Sequence, residues 1–137
     1  MKWTAITVCL MLAGCAGSGS QMGASTPSST KALPPVELTA DQRADVEKGI
    51  RKNLKDPNSA MFGNMNAGIS DKSPDTYIVC GWVNSKNSYG GYVGDKPFLA
   101  MYFPKLKTAA LIGMGGTSTD TYVVRQQCIN EGVPLGA

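Results

Sequence analysis

Residues 76–84 and 97–103 carry apolar side chains at successive positions rather than alternate ones. The first run holds Tyr77, Ile78, Val79, Cys80, Trp82 and Val83, and the second holds Phe98, Leu99, Met101, Tyr102 and Phe103. Neighbouring side chains of a strand point to opposite faces. Two such strands therefore need a packed layer on each side of their sheet. A chain of 137 residues with 42% apolar content has material for one such domain.

One covering layer is legible at residues 38–55. Val46, Ile50 and Leu54 recur at i, i+4 and i+8 and form one apolar stripe. Thr39 and Gln42 have the spacing of a capping box. Asp41 and Asp45 lie early, while Lys48, Arg51, Lys52 and Lys55 lie late, as the helix dipole favours. Glu47 and Arg51 form an i,i+4 pair. Asp56-Pro57 ends the helix, because a residue before proline avoids the helical region. Asp56-Pro57-Asn58-Ser59 then reads as a turn whose side-chain oxygens bond backbone N–H groups.

Residues 60–62 are a short strand candidate, and 108–114 are another, ended by Gly113, Gly115 and Gly116. Residues 118–130 carry both signals. Tyr122-Val123-Val124 favours a strand, whereas Asp120, Arg125-Gln126-Gln127 and Gly132 favour a helix. The helix reading puts Val124 and Cys128 on one face, against the second side of the sheet. The expected fold is α+β: an N-terminal helix, an antiparallel meander of three to four strands, and a C-terminal helix tied by one disulfide.

The first residues read as an address. Lys2 precedes an apolar run, residues 4–13, that is too short for a bilayer span of about 20 residues. Leu12-Ala13-Gly14-Cys15 resembles the lipobox of bacterial lipoproteins. That resemblance implies cleavage before Cys15, a diacylglycerol thioether on its sulfur, and acylation (palmitate) of its new amine. Several acyl chains, at about 0.8 kcal/mol per buried methylene, make a stable membrane anchor. Ala16 stands where an aspartate signals retention at the inner membrane in enterobacteria, which favours the outer membrane. The divisions expected are a signal peptide at 1–14, lipidated Cys15 with a Gly/Ser-rich tether at 15–37, a domain at 38–132 and a tail at 133–137. A coil of this length reaches about 25 Å.

Of four cysteines, Cys9 leaves with the signal and Cys15 takes the lipid. Cys80 and Cys128 remain as an even pair in a domain exported to an oxidising periplasm, which points to a disulfide. A redox or metal pair is the rival reading; it lacks a Cys-x-x-Cys spacing. The chain has no histidine, so Ser-His and Cys-His nucleophile pairs are excluded. No catalytic constellation, metal set or cofactor signature stands out, and Asp71, Asp75 and Asp95 are expected in loops. A net charge of +3 is too small for a nucleic-acid footprint. Met61, Met65, Met101 and Met114 read as core filler.

Leu54-Lys55-Asp56-Pro57-Asn58-Ser59-Ala60-Met61-Phe62 is followed by Val79-Cys80-Gly81-Trp82-Val83-Asn84-Ser85-Lys86-Asn87-Ser88-Tyr89-Gly90-Gly91-Tyr92-Val93-Gly94. Over residues 45–130 the pattern resembles small exported bacterial proteins, many of them lipoproteins, with a late cysteine. The resemblance supports the domain boundaries and the Cys80–Cys128 pair and implies no reaction.

The second segment leaves a buried strand for a Gly-rich loop. Asn84, Lys86, Asn87, Tyr89 and Tyr92 can be read as a polar, aromatic binding surface. They can equally be read as hairpin chemistry, with glycines at positive φ and asparagines bonding the turn. The functional expectation is a non-enzymatic, membrane-anchored envelope module that binds a partner protein or wall component. The alternatives are a structural surface lipoprotein without a ligand, and an inhibitor of a host or competitor hydrolase.

Overall fold

The structure, a computed structural model, describes residues 31–136. The signal, Cys15 and tether residues 16–30 lie outside the described residues. Helix α1 spans Ala40–Arg51. Thr39 accepts from the Gln42 N–H while the Gln42 side chain accepts from the Thr39 N–H, so the capping box is closed at both ends. The helix stops four residues short of the expected Lys55. Leu54 leaves the helix yet still packs against the core.

The strands are β1 (Pro35–Val36), β2 (Met61–Ser70), β3 (Ser73–Asn84), β4 (Lys96–Phe103) and β5 (Thr108–Met114). They form one sheet in the order β1-β2-β3-β4-β5, with every pair antiparallel. Strands β2 to β5 are the expected meander. Strand β1 is an addition, built from residues expected in the tether. Pro35 and Val36 pair with Gly68 and Ala67, and Leu33 is buried. The domain therefore begins before residue 38. It also ends later than 132: Val133 is buried, and the Trp82 indole N–H donates to the Gly136 carbonyl at 2.9 Å.

Strand β2 is far longer than residues 60–62. Its Gly63, Asn64, Asn66 and Gly68 have low strand propensity. Two of these are explained by crowding. A Cβ at Gly68 would lie 2.7 Å from the Leu33 Cβ, and one at Gly63 would lie 3.2 Å from the Trp82 Cβ. The register also slips here, with Gly63 and Asn64 falling between the Phe62–Val83 and Met65–Gly81 pairs. Asp75, expected in a loop, lies on β3 and pairs with Lys105 at 2.7 Å.

Residues 118–130 are helical: α2 spans Ser118–Asn130, capped by Thr117. The two helices cover opposite faces of the sheet. Val46 and Ile50 of α1 pack with Ala67, Val79, Val83, Phe98, Ala100 and Tyr102. Val124 and Cys128 of α2 pack with Ile78, Cys80 and Leu99, joined by Leu33 and Val133. Cys80 and Cys128 are disulfide-bonded, with Cα atoms 6.1 Å apart. No helix among the described residues is long and apolar enough to cross a membrane.

Candidate functional site

The β3–β4 connection is a small hairpin extending the sheet at one end. An isolated bridge pairs Lys86 with Tyr92. The Asn87 N–H donates to the Gly91 carbonyl at 2.8 Å, and the Gly90 N–H returns to the Asn87 carbonyl at 3.1 Å. The Asn87 Oδ1 accepts from the N–H groups of Tyr89 and Gly91. Gly90 and Gly94 have φ values of 83° and 87°, which only glycine adopts without strain.

The five residues singled out in the sequence thus divide. Asn87 is a brace of the turn. Asn84 ends β3, and its Oδ1 is buried without a hydrogen-bond partner. Lys86, Tyr89 and Tyr92 share the outer surface. The Lys86 ammonium stands 5.4 Å from the centre of the Tyr92 ring, a cation–π contact. Tyr89 is 96% exposed at the tip and Tyr92 is 49% exposed. Neither tyrosine is a core residue.

The hairpin is fastened to the turn after α1. The Lys86 N–H donates to the Ser59 Oγ at 2.8 Å, and that hydroxyl donates to the Asp56 carbonyl at 2.9 Å. Asp56 Oδ1 accepts from the Asn58 and Ser59 N–H groups, the turn chemistry expected of Asp-Pro-x-Ser. The Arg51 guanidinium donates to the Pro57 carbonyl at 2.6 Å and lies over the Phe62 ring. One end of the molecule therefore joins the close of α1, the 56–59 turn and the hairpin.

The sequence assigns three further members of this end to other roles. Lys52 and Lys55 are exposed on the chain leading into the turn. Met61, expected in the core, is 53% exposed and pairs with Asn84. The lysines were hidden within a helical charge pattern, and nothing in the local sequence distinguishes Met61 from Met65, which does pack inward.

Two other places have site-like features. A groove of about 740 Å³ runs beside β1, lined among others by Leu33, Val36, Leu38, Arg43, Met65 and Val133. No hairpin residue lines it. On the core side, the Tyr102 hydroxyl donates to Asp45 Oδ2 at 2.9 Å. Burial, then that bond and the Asp45 charge, push the Tyr102 phenol up to about 12. Among the described residues no group of three or more His, Cys, Asp or Glu side chains stands together. In comparisons with known proteins, no family model, curated protein or solved structure matches the chain.

Proposed function

We propose that this protein is a lipid-anchored component of the bacterial cell envelope whose domain is a non-enzymatic binding or accessory module. The anchor would be Cys15, in the outer membrane, and the ligand a partner protein or wall component. The observation that carries the binding reading is the exposure of Tyr89 and Tyr92 on a hairpin braced within its turn by Asn87 and fastened at its base to Ser59. A turn that only reverses the chain does not require two large exposed aromatic rings beside a lysine. A braced loop loses little conformational entropy on binding, so its contacts translate more fully into affinity.

Two measurements test the proposal. In membrane fractionation, Cys15→Ser is expected to leave the domain folded and release it from membranes; a variant that stays with the membrane would sink the anchor. In capture from whole cells, Tyr92→Ala and Lys86→Ala are each expected to weaken partner recovery with melting temperature nearly unchanged. Unchanged capture by both variants would leave the structural reading.

A further inference from the structure

We infer that the end of the molecule built from the hairpin, the 56–59 turn, Lys52 and Lys55 docks into a concave, carboxylate-lined surface of a folded protein partner. This deepens the binding reading above and rests on it.

Shape is the first argument. Tyr89 is 96% exposed at a protruding tip, so the surface is convex and suits a recess. Composition is the second. Residues 84–92 read Asn-Ser-Lys-Asn-Ser-Tyr-Gly-Gly-Tyr. Tyrosine, serine, glycine and asparagine are the mixture of loops that recognise protein surfaces, where tyrosine supplies rigid area and the small polar residues supply adaptable hydrogen bonds. Met61 adds an exposed thioether at the base, a residue type enriched at interfaces.

Charge is the third argument and sets the sign of the partner. Lys52, Lys55 and Lys86 stand at this end. Asp56, the carboxylate beside them, is turned onto the N–H groups of Asn58 and Ser59. Asp95 and Lys96, which follow the hairpin, together add no net charge. The surface is net cationic, and complementarity calls for carboxylates opposite.

Position disfavours a bilayer. The described chain begins beside the β2–β3 turn, where the Leu33 N–H donates to the Gly132 carbonyl and Lys31 lies by Ser70 and Asp71. The hairpin follows the other end of β3, a strand of 12 residues and so about 36 Å long. A chain arriving from an anchor thus enters at one end, and Tyr89 projects from the other. The tip also lacks the bulky aliphatic side chains that enter acyl chains, Val93 excepted.

The test places a benzophenone-bearing phenylalanine at position 89 of the full-length protein in its native cells. After irradiation, the adduct is mapped by mass spectrometry. The expected result is a protein adduct whose linked residues lie beside Asp and Glu side chains lining a cleft. Combining Lys52→Glu with Lys55→Glu is expected to lower adduct yield by about tenfold or more, with melting temperature lowered by only a few degrees because Lys52 caps α1. An adduct on lipid or glycan overturns this inference while leaving the binding reading standing. A protein adduct indifferent to the charge reversals overturns the acidic partner. No adduct of any kind overturns both.

Discussion

Helix α1 holds its face of the sheet through Val46 and Ile50, set against Val79, Val83, Phe98 and Tyr102. Helix α2 holds the opposite face through Val124 and Cys128, set against Ile78, Cys80 and Leu99. The first contact includes two aromatic rings from β4, with Phe98 meeting Phe62 edge-to-face at 6.3 Å. The second includes two cysteines, each among the smaller apolar side chains, joined covalently. Tyr122, Val123 and Ile129 of α2 remain exposed, so that helix is nearly as apolar outside as inside. Where a helix buries a distinct stripe of large side chains, it is held without a covalent link. Where the buried stripe is thin and poorly distinguished, a bond takes over.

The largest effect should come from cutting that bond. Replacing Cys80 and Cys128 together by Ala should cost about 4 kcal/mol on the chain-entropy account of a ring with a sequence separation of 48. Chemical denaturation of the double variant measures it. A loss below about 1 kcal/mol would mean that packing alone suffices on both faces, and the contrast between the helices would fail. Ile50→Ala, on the other helix, should cost about 3 kcal/mol whether or not the disulfide is reduced. Loss of that effect under reducing conditions would show that α1 depends on the staple as well.

A smaller effect sharpens the α1 side. Tyr102→Phe should cost about 1 kcal/mol through the lost hydrogen bond to Asp45. The phenol is held near 12 in the folded protein, against an ordinary value of 10.0. The folded state therefore keeps a proton that the unfolded chain releases. That contribution is fully present below pH 10 and fades as pH rises towards 12. Alkaline melting curves of the parent and of Tyr102→Phe should differ in slope across this window; parallel curves would remove Tyr102 from the account. The smallest effect belongs to Tyr89→Ala, which should move stability by no more than about 0.5 kcal/mol, as exposed positions do. A larger drop in melting temperature would make the tip part of the core.

The two faces also differ in how far sequence could describe them. The α1 face was readable because its signals are periodic and local: the Val46–Ile50 spacing, the Thr39–Gln42 cap and the Asp56-Pro57 stop. The doubly apolar strands β3 and β4 announced that a second layer must exist. The even cysteine pair named where that layer would attach, although residues 118–130 kept both strand and helix signals. What escaped was set by distant neighbours. Strand β2 has glycines where Leu33 and Trp82 press against it, so its local pattern imitates a loop. Strand β1 and the packed carboxyl-terminal segment lie in Pro- and Gly-containing stretches whose order comes from long-range contacts to β2, to β3 and to one another. The hairpin was legible as a candidate because its composition is local. Its union with Ser59 was not, because one hydrogen bond spanning 27 residues makes it.

The disulfide also has a mechanical consequence. It closes a ring from Cys80 to Cys128, and the hairpin lies inside that ring. In a protein anchored as proposed, tension from a partner gripping Tyr89 would pass through β1, α1 and β2 and reach the tip by way of β3. Strand β1 contributes only two paired residues, so it is the first element to peel. For a molecule stretched by its two termini, the segment between the cysteines cannot lengthen, because its ends stay 6.1 Å apart. Unlinked, the same segment would add about 170 Å of contour. For a pull between the termini the bond thus acts as a stop on extension, and the ring that carries the exposed tyrosines stays closed.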